Sequence, residues 1–79
     1  MSITHRIYDT FNCRVVSNHR SIKATVIASD KFSRAVAKAN GQNSYIPTRI
    51  EYLDDDGEWL GLPIEEVHDA ENQYLNRYR

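Results

Sequence analysis

Seventy-nine residues suffice for one hydrophobic core but not for two, so residues 1–79 are expected to form a single domain. Hydrophobic residues make up 41% of the chain and the net charge is only −1, which excludes the sparse hydrophobicity and high net charge of disordered proteins. The charge is nevertheless divided, because residues 1–40 hold seven Lys or Arg against two acids, whereas residues 41–79 hold three Arg against nine acids.

The first predicted element is a β-hairpin. Two short runs of β-branched and aromatic residues, His5 to Phe11 and Arg14 to Ser17, are separated by a break at residues 12–13, which is typical of two strands joined by a turn. If the first strand is regular, three of its residues share one face: Ile7, Asp9 and Phe11. Because that face mixes an acid with apolar side chains, the pattern does not fix the strand register.

Residues 21–40 have the periodicity of an amphipathic helix. On a helical wheel the charged side chains fall within one arc of roughly 100°: Lys23, Asp30, Lys31, Arg34 and Lys38. Phe32 and Val36 lie on the opposite arc and are expected to face the sheet. Ser21 is a suitable N-cap, and the Asn-Gly pair at residues 40–41 is a typical C-terminal stop, so a helix is predicted from about Ser21 to Asn40.

A strand is the competing interpretation of the first part of this segment. The β-branched run at residues 25–27 favours a strand over residues 22–28. The helix would then begin at a cap on Ser29 or Asp30. The long helix is preferred, and the pattern leaves both alternatives open.

A second hairpin is predicted after a polar linker at residues 42–47. Thr48 to Leu53 alternates in hydrophobicity, with Ile50 and Tyr52 on one face. The Asp-Gly pair at residues 56–57 is a strong turn signal before a short strand at Glu58 to Leu60.

A terminal helix is expected after Pro63, which suits the first position of a helix. Acids at residues 65 and 66 favour its positive end, and Arg77 and Arg79 favour its negative end. The predicted fold is therefore an α+β domain of order ββαββ(α), in which an antiparallel sheet of about four strands, made of two hairpins, packs on one long amphipathic helix.

Metal, cofactor and catalytic motifs are not found in the sequence. Four residues could bind a transition metal, but none has the spacing of a zinc site: His5, Cys13, His19 and His68. The acidic run around Gly57 fails as a calcium loop, because Pro63 would occupy the position of the bidentate Glu. No nucleophile elbow or phosphate-binding loop occurs, so no cofactor and no enzymatic activity are expected.

The acidic turn is the first candidate binding site. The residues assigned to it would contact a partner with a basic surface: Asp54, Asp55, Asp56, Glu58 and Trp59. The alternative is a solvated turn whose acids keep a sheet edge soluble. Trp59 could likewise close the core under the long helix instead of binding a partner.

The basic stripe of the long helix is the second candidate site. With the arginine that precedes the helix, it would contact nucleic acid or an acidic partner: Arg20, Lys23, Lys31, Arg34 and Lys38. The alternative is the ordinary solvated face of an amphipathic helix, which Asp30 interrupts. The acidic half of the chain also argues against a dedicated nucleic-acid binder, because it repels phosphates.

The sequence supports two candidate functions. The preferred one is a small non-enzymatic protein-binding module, an inhibitor or adaptor that docks a basic surface through its acidic hairpin; the alternative is nucleic-acid binding through the basic helix face. In size and layout the chain resembles the small accessory proteins of phages and other mobile elements, including inhibitors of host defence complexes. That resemblance implies a host nucleoprotein complex as the partner.

Apolar runs and cysteine content indicate where the protein is located and how it assembles. No apolar run approaches the ~20 residues of a membrane span, and the segment Met1 to His5 lacks the apolar stretch of a signal peptide. A cytoplasmic protein with no membrane partner is therefore expected. With a single cysteine, no internal disulfide can support so small a core, so a homodimer or a tightly bound partner would add stability.

Overall fold

The structure is a computed structural model that describes residues 2–41 and 44–76. Its elements are β1 (His5–Asp9), β2 (Arg14–His19), α1 (Ile22–Asn40), β3 (Thr48–Leu53), β4 (Trp59–Gly61) and α2 (Ile64–Leu75). The four strands form one antiparallel sheet in the order β2-β1-β3-β4. The predicted α+β class and the order ββαββα are confirmed. Arg77 and Arg79, expected at the end of the last helix, lie outside the described residues.

The first strand is shorter than its sequence pattern predicts, and the second extends to His19 instead of Ser17. β1 ends at Asp9, whose fully buried carboxylate accepts hydrogen bonds from the backbone N–H groups of Phe11 and Asn12, both at 2.9 Å. Cys13 then adopts a left-handed conformation with φ of 55°. The expectation that Phe11 extends the strand is therefore wrong, because the carboxylate of Asp9 folds the chain into a turn two residues earlier.

The α1 helix matches the predicted long helix, and the alternative strand is excluded. The Ser21 hydroxyl caps it by accepting from the Ala24 N–H at 3.1 Å. Its end is set by Gly41, which has a φ of 109° and donates its N–H to the Ala37 carbonyl at 2.8 Å.

Two residues of α1 differ from the wheel. Asp30, expected in the exposed charged stripe, is only 9% exposed, and its carboxylate lies 3.1 Å from Arg34 Nε. Val36 is buried as predicted, but Phe32 is only half-buried. The wheel errs at Asp30 because an acid with a partner one turn away can be tolerated near the core.

Both helices pack on one face of the sheet, where the core lies. Ile7 and Ile50 are cross-strand partners on this face, and Val26 of α1 and Ala70 of α2 pack with Ile50 over it. Ile50 and Tyr52 share this face, as the alternation of β3 predicts. The alternate residues of each strand therefore point to the opposite, open face, on which no helix of residues 2–41 and 44–76 packs. Among the described residues, neither helix could cross a bilayer.

Candidate binding surfaces

The β3–β4 turn presents three of the four predicted acids. The fourth, Asp54, is used to build the turn, because its Oδ1 accepts from the backbone N–H groups of Asp56 at 2.9 Å and Glu58 at 2.8 Å. Asp55, Asp56 and Glu58 are exposed, and their side chains make no ion pair or hydrogen bond within residues 2–41 and 44–76. We call these three residues the acidic tip. Since the fold does not use their charges, they are available to a partner.

Trp59 does not lie under the long helix. It stands opposite Leu53 on the open face of the sheet, where the Cζ atom of Arg6 lies 4.3 Å from the centre of its ring. The indole is half-buried by this cation–π contact. The interpretation of Trp59 as a core residue below α1 is therefore wrong, because the alternation of β4 turns it to the other face.

A charged network covers the open face beside Trp59. Glu51 is only 1% exposed, and its two carboxylate oxygens accept from Arg6 Nε at 2.6 Å and from Arg49 Nε at 2.7 Å. Both guanidinium groups also lie over the ring of Tyr8, at 5.7 and 5.3 Å. This network was not predicted from the sequence, because it requires β1 and β3 to be neighbours and no local signal selects that pairing.

An acidic groove lies alongside α2. It has a volume of about 340 Å³ and runs between α2 and the beginnings of β1 and α1. Its residues combine apolar and acidic side chains: Ile22, Leu62, Glu66, Asp69 and Tyr74. A second groove of similar volume shares Leu62 and Glu66 and extends to Leu53, the residue before the acidic turn. The tip and the groove therefore form one end of the molecule, which we call the acidic end.

His5 lines both grooves and lies beside His19, although the sequence spacing had indicated isolated histidines. Burial lowers the pKa of both imidazoles, and the charge of His19 lowers that of His5 further. The Ser17 hydroxyl lies 2.7 Å from His19 Nε2. No carboxylate of the described residues orients that ring, so the pair lacks the third member of a catalytic triad.

The histidine pair predicts a loss of stability in mild acid. Because folding lowers both pKa values below their ordinary 6.5, the unfolded chain binds protons more readily. The stabilisation is complete above about pH 6.5 and is lost as the pH falls through the folded-state pKa values. Urea unfolding should therefore give a smaller free energy at about pH 5.5 than at about pH 7.5.

The double variant His5→Gln, His19→Gln should remove most of this pH dependence. His68→Gln, on the exposed surface of α2, is the matched control and should retain it. A double variant with the pH dependence of the wild type would contradict the assignment. Hydrogen bonds from Asn12 lower the pKa of Asp9 below its ordinary value. Protonation of Asp9 therefore affects stability only below about pH 4, outside the range of the histidine effect.

The basic stripe is exposed but is partly neutralised. Arg34 is paired with Asp30, and the ammonium of Lys23 lies 5.7 Å from the ring of Tyr74. Of the remaining members, Lys31 and Lys38 lie about 10 Å apart along α1, and Arg20 lies before the helix, which begins at Ile22. Their spacing gives a thinly charged surface instead of a cluster.

Neither a metal-ion site among the described residues nor a similar known protein is found. Within residues 2–41 and 44–76, no three His, Cys, Asp or Glu side chains are placed to hold a metal ion. No protein-family model, no curated protein and no solved structure matches the chain. The class that the structure defines is a small α+β domain with a four-stranded antiparallel sheet, two helices on one face and a charged network on the other.

Proposed function

We propose that the protein is a non-enzymatic protein-binding module, an inhibitor or adaptor, that docks a Lys- or Arg-rich protein surface on its acidic end. The proposal rests on five acids at the acidic end. None of them forms an ion pair within the part of the chain that the structure describes: Asp55, Asp56, Glu58, Glu66 and Asp69. Carboxylates that the fold does not use add self-repulsion, which a basic partner would relieve.

The surroundings of these acids suit a protein partner. The groove has apolar side chains between its two acids, so it can hold the aliphatic stem of a lysine or arginine while Glu66 and Asp69 face the charged head. Leu60 and Ile64 are 40% and 59% exposed beside the tip and the groove. A mixture of exposed apolar residues and complementary charge is the composition of protein interfaces.

Binding can be tested with a short peptide of alternating Arg and Leu, and with a Glu and Leu peptide as its control. We expect the basic peptide to shift the backbone amide NMR signals of the tip and of Glu66 and Asp69 in a salt-dependent manner, and the acidic peptide to leave them unchanged. Equal effects of both peptides, or shifts only on other surfaces, would contradict the proposal.

Neutralising the tip should slow association without harming the fold. In the variant Asp55→Asn, Asp56→Asn, Glu58→Gln, thermal stability should be unchanged or slightly raised, because like-charge repulsion is relieved. Association with a basic partner should be slower and less sensitive to salt, since exposed charges act mainly on the on-rate. Surface plasmon resonance with the immobilised Arg and Leu peptide measures both effects.

Asp54→Asn is a matched control, because it removes one charge from the same turn at a residue whose carboxylate holds the backbone. It should lower stability by about 0.5–1.5 kcal/mol through weaker turn hydrogen bonds and change association less than the triple variant. If the triple variant associates like the wild type at every salt concentration, the tip only solubilises the sheet edge.

A further inference from the structure

The end of the sheet opposite the acidic tip exposes two aromatic side chains. Phe11, on the β1–β2 turn, and Tyr45, on the linker before β3, are each 77% exposed. They line a groove of about 440 Å³ whose other residues are Asn12, Ile46 and Pro47. We call this groove and its rings the aromatic end. Two large rings left in water on so small a domain mark a binding surface.

The aromatic end is held rigid by hydrogen bonds. Asp9 fixes the turn that carries Phe11, as described above, and also accepts from Asn12 Nδ2 at 2.7 Å. Thr10 donates both its backbone N–H and its hydroxyl to the Pro47 carbonyl, at 3.0 and 3.1 Å. The turn and the linker are thereby tied together, so little conformational entropy is lost when a ligand binds between the rings.

The charge around the aromatic end is positive. Residues 10–14, 37–41 and 44–49 contain no acid, and their charged side chains are Arg14, Lys38 and Arg49. All three are exposed. Lys38 forms no ion pair among the described residues, whereas Arg14 lies 3.9 Å from the Asp9 carboxylate and Arg49 also pairs with Glu51. Asp9, the nearest acid in the chain, is buried in the turn. A ligand with negative charge and flat apolar groups is therefore complementary to this end.

We propose that the aromatic end binds single-stranded nucleic acid. Unpaired bases stack on exposed aromatic rings, and cationic side chains beside the rings contact the phosphates. Because the carboxylate of Asp9 can only accept, it fixes the Asn12 amide with Nδ2 inward, and Oδ1 is left to accept from a base amino group. Of the basic stripe of α1, only Lys38, in the last turn of the helix, belongs to this site.

The acidic tip does not prevent such binding. β3 pairs Thr48 with Asp9 at the aromatic end and reaches Leu53 beside the tip, a separation of about 17 Å at 3.3 Å per residue. The Debye length in physiological salt is about 8 Å, so the repulsion between the tip and phosphates at the aromatic end is largely screened.

The test uses a fluorescein-labelled oligo-dT of about twelve nucleotides and measures its anisotropy at about 0.05 M and about 0.2 M salt. The wild-type protein should bind it, more weakly at the higher salt. Phe11→Ala and Tyr45→Ala should each weaken binding about tenfold. Both rings are exposed, so both variants should keep the thermal stability of the wild type.

Matched controls distinguish the aromatic end from the helix stripe and from the acidic end. Leu60→Ala truncates an exposed apolar residue beside the acidic tip and should leave binding unchanged. Lys38→Gln should weaken binding more than Lys31→Gln, because Lys31 lies farther from the aromatic end along α1.

No binding at either salt concentration would overturn the proposal. Binding that survives the loss of both rings and disappears with Lys31→Glu, Arg34→Glu would also overturn it and would place nucleic acid on the helix stripe.

Discussion

Ile7→Ala should lower the free energy of unfolding by about 3–4 kcal/mol, the largest effect of any single truncation proposed for this chain. Ile7 is fully buried at the centre of the sheet, with β2 and β3 on either side, so the neighbours cannot collapse into the cavity. The total stability of a 79-residue domain is about 4–12 kcal/mol. Thermal denaturation should therefore show a midpoint lowered by roughly 15–25 °C.

Truncations in α1 should be less destabilising than Ile7→Ala. Phe32→Ala should cost less than Ile7→Ala, about 1–2 kcal/mol, because its ring is only half-buried. Lys31→Ala, on the exposed side of the same helix, should cost under about 0.5 kcal/mol. If Phe32→Ala were as costly as Ile7→Ala, the core would be centred under α1 instead of within the sheet.

Glu51→Ala should lower stability by about 2–3 kcal/mol. Its removal leaves Arg6, with a side chain only 20% exposed, without its carboxylate partner. Breaking a fully buried ion pair costs about 3–5 kcal/mol, and the lower figure is expected because the Arg49 side chain is 56% exposed and can be hydrated. Urea denaturation measures the difference.

Glu58→Ala is the control for Glu51→Ala, because it removes an exposed carboxylate from the same hairpin and should change stability by under about 0.5 kcal/mol. A double-mutant cycle of Arg6→Met with Glu51→Ala isolates the interaction between the two side chains. A coupling energy near zero would show that the open-face network is only a surface ion pair.

The fold was largely predictable, because its elements carry local signals. The Ser21 cap and the terminal Asn-Gly pair bound α1, and the Asp-Gly turn at residues 56–57 places the second hairpin. The central pairing of β1 with β3 was not predictable. It joins residues 39 to 47 positions apart, and nothing in either strand pattern selects it over other arrangements.

The candidate sites were predictable only in part. The acidic run 54–58 is contiguous in the sequence, but the groove acids Glu66 and Asp69 join it only through the packing of α2. The aromatic end was not predicted, because Phe11 and Tyr45 belong to no sequence motif of base stacking and Phe11 was assigned to a strand. The hydrogen bonds of Asp9 overrode that local preference, and only the folded chain shows it.

The edge strand β2 contains an irregularity that bears on self-association. Ile7 is paired with Ser17 and Tyr8 with Val15, so Val16 is an additional residue in β2 that has no partner in β1. Such a bulge increases the local twist and breaks the even spacing of the outward N–H and C=O groups. A second sheet cannot add to this edge in continuous register, which protects the protein from edge-to-edge aggregation. If the protein forms a homodimer, its subunits should therefore not pair strand to strand along the β2 edge.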